Sequence, residues 1–425
     1  MKPSGIEWIG DIPDDWEVRR LKGLGEQTIG LTYSPQDITD NSGTLVLRSS
    51  NIQNGKLVLD RDDNVYVSID VENKILKDED ILICSRNGSR NLVGKTAFVI
   101  TYGKKLSYGA FTTIFRSKYN KFLFYVFNAG VFEYHLASYN TSTINQLTTS
   151  MLNEIRVPFP PVKTQQKIAD YLDEKCGEID ATISKQKESI EKLKAYKQSL
   201  ISETVTKGLD KSAPLKPSGI EWIGDIPAHW EVCKIKNHCN LKTGSTPSSK
   251  DLSMFDGAEN WFTPSDFTEN YMLKNSLRRL NAKVFDQNLV PIFPPLSVLI
   301  VGIGATTGKV GFTTSKSSSN QQITAIIPKD KNIFPKFLLF WMIANTKMIR
   351  ETALFTTLPI LNNDTLGNAT LLIPPYKEQL ELASYIENKN IEIDVIINKK
   401  QNIIQKLDAY KKSIIFECVT GKKRI

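Results

Sequence analysis

Residues 2–18 (KPSGIEWIGDIPDDWEV) return at residues 216–232 (KPSGIEWIGDIPAHWEV) with 15 of 17 positions identical. The offset of 214 recurs along the rest of the chain: Asp180 matches Asp394, Leu193 to Lys197 matches Leu407 to Lys411, and Pro160-Pro161 matches Pro374-Pro375. The chain is one unit written twice. A solenoid or propeller stacks at least three repeats, so two copies point instead to a pseudo-twofold body with two equivalent working surfaces.

At 425 residues the chain is long enough for two to four domains, each with its own core. No uninterrupted apolar run approaches the roughly 18 residues of a membrane span, and no apolar signal region follows Met1, so the expected place of action is the cytoplasm, with no membrane partner. The five cysteines, Cys84, Cys176, Cys233, Cys239 and Cys418, form no CxxC pair, which suits reduced and mostly buried thiols. A formal net charge of +8 favours an anionic partner, although charge by itself gives only non-specific attraction.

His229, Cys233, His238 and Cys239 have the residue types of a tetrahedral zinc site. The repeat supplies a control: the matching positions in the first copy are Asp15, Arg19, Leu24 and Gly25, so the shared architecture does not call for a metal there.

Each copy divides into a variable and a regular part. From Arg19 to Arg156, and from Cys233 to Leu372, short β-branched and aromatic runs alternate with Gly, Asn and Ser turns, the pattern of an α+β domain. The runs 121–127 and 336–341 fit either a strand or a buried helix, and Phe334-Pro335 favours a helix start for the second. Beyond each proline pair lies a stretch with helical period and almost no breakers, giving expected helices over 164–206 and 378–420 that can kink near Gly177 and Asn388-Lys389-Asn390. Ile179, Ile183, Gln186, Ile190, Leu193, Lys197, Leu200 and Thr204 step by fours and threes, the a/d seam of a coiled coil. The second copy repeats it as Ile393, Ile397, Lys400, Ile404, Leu407, Lys411, Ile414 and Cys418. Such a narrow stripe is marginal alone in water, so each helix needs a partner, and the other copy supplies one. About 26 residues at roughly 1.5 Å each give a rod near 40 Å, close to one turn of B-DNA.

The chain resembles the specificity subunits of type I restriction-modification systems over essentially its full length. The residues that carry the resemblance are Trp8 to Pro13 with Trp16-Glu17-Val18, Pro160 to Ala169 leading to Ile179-Asp180, Thr243 to Ser248, and Leu299 to Gly302 running to Gly308 to Gly311, in this order and duplicated. The first copy has Gly30-Leu31-Thr32-Tyr33-Ser34-Pro35 where the second has its TGSTPS loop. The resemblance implies an α+β protein in which two globular α/β target-recognition domains in pseudo-twofold arrangement are separated by two long antiparallel coiled-coil helices. The corresponding division is 1–156 and 210–372 for the recognition domains and 157–209 and 373–425 for the helical regions. It further implies double-stranded DNA as ligand, two DNA adenine methyltransferase subunits and two motor-nuclease subunits as partners, and an asymmetric bipartite target. S-adenosylmethionine, ATP and Mg²⁺ then belong to the partners, with no cofactor in this chain. The alternative is a non-catalytic scaffold of two interaction domains on a coiled-coil spacer.

Three near-misses argue against chemistry in the chain itself. Ile373-Pro374-Pro375-Tyr376 lacks the leading Asn of an amino-methyltransferase, and no Phe-x-Gly-x-Gly loop occurs. Gly302-x-Gly304-x-x-x-Gly308-Lys309 has too short a spacing for a phosphate loop and places Val310 where Ser or Thr would hold Mg²⁺, which leaves a tight strand-to-strand turn. The matching turn of the first copy, with Arg86, Asn87, Ser89 and Arg90, carries the residue types that read base edges, Arg for guanine and Asn for adenine. Lys95 and Lys309 match at the offset and suit phosphate contacts. Further polar candidates are Asn140, Thr141 and Ser142 in the first copy and Thr246, Ser248, Thr306, Thr307, Asn320 and Gln321 in the second.

Overall fold

The computed structural model describes residues 1–138, 145–248, 252–351, 354–355 and 359–425. Two compact units make up the chain, the first from residues 1–187 and 401–425, the second from residues 188–400. The units therefore do not coincide with the sequence repeats, and each draws residues from both long helices.

Both long helices are laid down by the same local device. A proline pair ends a strand (Arg156–Phe159; Thr370–Ile373), and helices Val162–Lys207 and Tyr376–Val419 follow at once. A buried glutamine in each first turn locks the junction: Gln165 Nε2 donates to the Pro160 carbonyl at 2.7 Å, and Gln379 Nε2 to the Pro374 carbonyl at 2.8 Å. These satisfy carbonyls that neither strand nor helix can use. The helices end at Gly208 (φ +69°) and Gly421 (φ +73°), left-handed positions that glycine adopts without steric cost. Both helices run unbroken through Gly177 and through Asn388 to Asn390.

In the first unit the helix segments pair antiparallel. Lys411 Nζ donates to Asp180 Oδ1 at 2.6 Å and Lys423 Nζ to the Tyr171 hydroxyl at 2.8 Å, so moving back along one helix moves forward along the other. Ile168, Leu172 and Cys176 share a core with Ile414, Ile415, Cys418 and Val419. In the second unit Lys197 Nζ donates to Asp394 Oδ1 at 2.8 Å, and Leu200, Ile201 and Val205 share a core with Leu382, Ala383 and Ile386. The two ion pairs join the same repeat positions with the partners exchanged. Each is part-exposed, and a pair of that kind contributes at most about 1 kcal/mol, so these lysines fix register more than they stabilise. Along the seam Ile179, Ile183, Ile190, Leu200, Ile393, Ile397 and Ile414 are buried, whereas Leu193, Ile404 and Leu407 are half-buried.

The globular part of the first unit has two four-stranded sheets. One is antiparallel in the order Glu26–Ile29, Thr112–Arg116, Ile81–Cys84, Thr96–Phe98. The other runs Leu106–Tyr108, Thr44–Leu47, Val65–Val67, Ile38–Thr39, with its first pair parallel. The second unit repeats the first sheet as Cys239–Thr243, Ile323–Pro328, Ser297–Val301, Val310–Thr313, and has a three-stranded counterpart of the other, Arg278–Leu280, Glu259–Phe262, Ser317–Ser319, with the last pair parallel. The unbroken apolar runs have a simple cause. Ile81 and Ile83 face the core that contains the long helices, and Leu82 and Cys84 face the second sheet, so the strand is covered on both sides. Val298 and Ile300 against Leu299 and Val301 repeat the arrangement.

The ambiguous runs are helical, Asn120–Val126 and Pro335–Glu351, the latter starting at the proline. Trp16 and Trp230, from the duplicated opening motif, are core residues; Trp230 Nε1 donates to Glu378 Oε1 at 3.1 Å on the second long helix. The opening motif thus packs against the long helices. Among the described residues no helix is long and apolar enough to cross a membrane.

Candidate nucleic-acid interface

In both units the hairpin formed by the last two strands of the antiparallel sheet, an inner strand and an edge strand, ends in a turn held by three matching backbone hydrogen bonds. In the first unit Ser85 N and Arg86 N donate to the Phe111 carbonyl at 3.0 Å, Leu147 N donates to the Ser85 carbonyl at 2.7 Å, and Gly94 N closes the turn on the Cys84 carbonyl at 2.9 Å. In the second unit Gly302 N donates to the Gln322 carbonyl at 2.7 Å, Leu361 N to the Gly302 carbonyl at 2.8 Å, and Gly308 N to the Val301 carbonyl at 2.8 Å. Arg86 bridges Gln146 as Ile303 bridges Ile360. The structure therefore pairs Ser85 with Gly302, Arg86 with Ile303, and Phe111 with Gln322. The offset is 217 on the entering strand and returns to 214 at Gly94 and Gly308, because the first turn is three residues longer. Both of those glycines have φ near +90°, and an added Cβ would lie 2.8 Å from Phe132 Cβ or 3.0 Å from Thr346 Cγ2, at matching repeat positions. Close approach to the neighbouring helix explains why glycine stands there.

On this shared backbone the side chains differ. In the first unit Arg86, Ser89 and Arg90 are exposed at the turn and Asn87 is half-buried. Asn87 Nδ2 donates to Ser49 Oγ at 3.1 Å while its Oδ1 accepts from Ser89 N at 3.0 Å, and Asn145 Nδ2 donates to the Gly88 carbonyl at 3.1 Å. Asn87 is thus partly engaged in shaping the turn. The Arg86 guanidinium lies over the Phe111 ring, 5.5 Å from its centroid. In the second unit Thr246 Oγ1 donates to Gln321 Oε1 at 2.7 Å, which joins the TGSTPS loop to the exposed Gln321. Asn320 is buried; its Nδ2 donates to Gln322 Oε1 at 2.9 Å, and Gln322 Nε2 donates to the Ile303 carbonyl at 3.3 Å. Thr307 is buried with its Oγ1 on the Gly304 carbonyl at 2.6 Å, Thr306 is half-buried, and Ser248 is exposed. Asn140, Thr141 and Ser142 lie outside the described residues.

The aligned lysines sit below the turns, on the side of the long helices. Lys95 is exposed and lines a cleft of about 920 Å³ with Lys56, Tyr125, Asp173 and Cys176. Lys309 lines a cleft of about 470 Å³ and donates to the Phe267 carbonyl at 3.0 Å, an anchoring that Lys95 lacks among the described residues. If Lys95 holds a phosphate, Lys95→Ala weakens binding to every duplex alike and lowers the slope of log affinity against log salt by about 1. A titration of specific and unrelated duplexes at several salt concentrations checks this; a loss confined to one sequence contradicts it.

Sequence reasoning did not single out Phe111, Gln146 or Ile360, nor place Gln322 opposite Phe111. Their equivalence rests on ladder register and on a three-residue difference in turn length, which a fixed offset hides. The histidines and cysteines of the second copy are used elsewhere: His229 Nε2 pairs with Glu378 Oε2 at 2.8 Å, His238 Nδ1 with Asp330 Oδ2 at 2.9 Å, Cys233 Sγ approaches the Leu371 carbonyl at 3.4 Å, and Cys239 is buried. Burial pushes the Cys239 thiol up to about 12 and the Cys233 thiol up to about 11, so both stay protonated at neutral pH. Among the described residues no group of three or more His, Cys, Asp or Glu side chains could hold a metal ion.

A family model described as the type I restriction modification DNA specificity domain matches residues 13–194 and again 227–409. The chain is 24% identical to the putative type I restriction enzyme MjaX specificity subunit of Methanocaldococcus jannaschii, over 98% of this chain and 96% of that one. It is 22% identical to the type I restriction enzyme EcoKI specificity subunit of Escherichia coli K12, over 97% and 90%. Among solved structures, a chain from work on complex assembly and conformational transition of the type I R-M system superposes with a TM-score of 0.74 at 15% identity, covering 97% of this chain and all of that one. The HsdS subunit from Thermoanaerobacter tengcongensis superposes with a TM-score of 0.52 at 15% identity, over 97% and 98%. These last two likenesses concern the fold.

Proposed function

The chain belongs to the type I restriction modification DNA specificity family, and from that premise we propose that it reads an asymmetric bipartite duplex site and directs adenine methylation or cleavage by partner subunits. One observation carries the reading: two turns with the same backbone hydrogen bonds present different side chains, Arg86 and Phe111 in one unit, Ile303 and Gln322 in the other. A common frame with different readers is what recognition of two different half-sites requires. The formal charge of +8 supplies the sequence-independent part of the affinity.

In this reading the chain makes no bond itself. Arg86, Asn87, Ser89 and Arg90 contact bases or their phosphates in one half-site; Thr246, Ser248, Thr306 and Gln321 serve the other, where the buried Thr307 and Asn320 shape the turn instead of touching DNA, and Lys95 and Lys309 hold backbone. Two methyltransferase subunits and two motor-nuclease subunits supply the chemistry, in the cytoplasm where the DNA is. The recognition parts correspond to 1–156 and 210–372 and the helical regions to 157–209 and 373–425.

The test is a map of methylated adenines in cells that express the methyltransferase partner with and without this chain. A motif of two unlike halves at fixed spacing should appear only with the chain, and the purified chain alone should transfer no methyl group to DNA. Methyl transfer by the isolated chain, or the same motif in its absence, would overturn the proposal.

A further inference from the structure

Most large apolar residues in the first unit's globular part are buried, but Phe111 is 60% exposed. It is not exposed because its loop is loose. The Phe111 carbonyl accepts from Ser85 N, Arg86 N and Ser85 Oγ, Ala110 N donates to the Leu31 carbonyl at 2.9 Å, and Thr112 N to the Gly109 carbonyl at 2.8 Å. A pinned backbone holds an apolar ring in water, which costs roughly 25 cal/mol for each Å² left uncovered. The Arg86 guanidinium lies over the same ring, 5.5 Å from its centroid. A guanidinium at this distance is attracted to the ring face, which restrains the arginine side chain while its N–H donors stay available. Neither feature recurs in the other unit, where the equivalent positions are Ile303 and Gln322 and the glutamine amide is spent on the Ile303 carbonyl and Asn320. A preorganised cation and an exposed ring, private to one unit, have the form of a reader for one half-site only.

We infer that Arg86 and Phe111 together read a guanine–thymine step in the major groove of the half-site bound by the first unit. This rests on the chain being a DNA-specificity subunit. A planar guanidinium matches guanine O6 and N7 with two parallel hydrogen bonds, and the only apolar group on a base edge in that groove is the thymine C5 methyl, which an adjacent aromatic ring covers. Phe111 removes the methyl from water and Arg86 satisfies the guanine, so the cost of exposing the ring is recovered only on the right step. Gln146, bridged to Arg86, borders the same place.

The experiment uses the full chain reconstituted with its methyltransferase partner. The wild-type motif is determined first, and duplexes bearing it are then methylated by wild type, Arg86→Lys and Phe111→Ala. Arg86→Lys keeps the charge but loses the fork, and should relax the guanine position with a rate loss of roughly 5- to 150-fold. Phe111→Ala should relax the adjacent thymine. Uracil in place of that thymine should slow the wild type and leave Phe111→Ala no slower than it already is. Methylation in the other half-site reports that the variants are folded and should keep its motif. A wild-type motif without a guanine–thymine step, an unchanged motif in both variants, or equal relaxation of both halves overturns the inference. A chain that imposes no motif on its partner would instead sink the specificity reading itself.

Discussion

Exchanging residues 233–372 for the corresponding segment of another family member is expected to change one half of the methylated site and to leave the other half and the spacing intact. The cuts fall inside the strand pair Glu231–Lys234 with Thr370–Ile373 (Val232 opposite Leu372, Cys233 opposite Leu371), an antiparallel ladder whose backbone hydrogen bonds any exchanged segment of the same register can re-form. Everything between the cuts builds the two sheets of the second unit and its turn, including Thr246, Ile303, Gln321 and Gln322. The helix segments that carry Lys197 and Asp394 stay native. Methylome sequencing of cells carrying the hybrid reads the outcome directly, and a hybrid that changed both halves together would show that the units do not read DNA independently.

Ile414→Asp should do the opposite, destroying recognition without touching a reader. Ile414 is 1% exposed in a core with Ile168, Leu172 and Cys176. A charge buried there together with the lost aliphatic packing costs about 4 kcal/mol, a large share of the 5–15 kcal/mol that holds a domain folded. Calorimetry should show the first unit melting well below its wild-type temperature, and the half-site it reads should drop out of the motif. Ile414→Val, which removes one methylene, should cost only about 1 kcal/mol. An aspartate variant that melts with the wild type would contradict the packing described.

Much of this protein is legible in its sequence because the signals are local. The duplicated offset, the proline pairs, the run of fours and threes from Ile179 to Thr204, and the matched Asp180 and Asp394 are sufficient for two helices that need each other. What they leave open is decided by long-range pairing. The sequence places Lys197 and Lys411 in the seam, but only the antiparallel pairing presents each to the aspartate of the other copy. The run 121–127 fits strand or helix by periodicity alone, and burial of Phe122, Leu123, Tyr125 and Val126 against the long helices decides for helix.

The recognition surface divides in the same way. Arg86 and Asn87 stand out by residue type, whereas Phe111 reads as one more strand-flanking aromatic until the Arg86 and Ser85 amides are found on its carbonyl. The sequence by itself determined that there are two copies, their helices, and the family to which they belong, since periodicity and repeated motifs are properties of neighbouring residues. Tertiary structure alone decided that residues 401–425 complete the unit containing the N-terminus, that Arg86 answers to Ile303 rather than to the residue 214 positions on, and that Lys95 lines a cleft beside the long helix. Hydrogen-bond register between distant strands sets those relations, and a turn three residues longer moves the register without leaving a trace in the repeat.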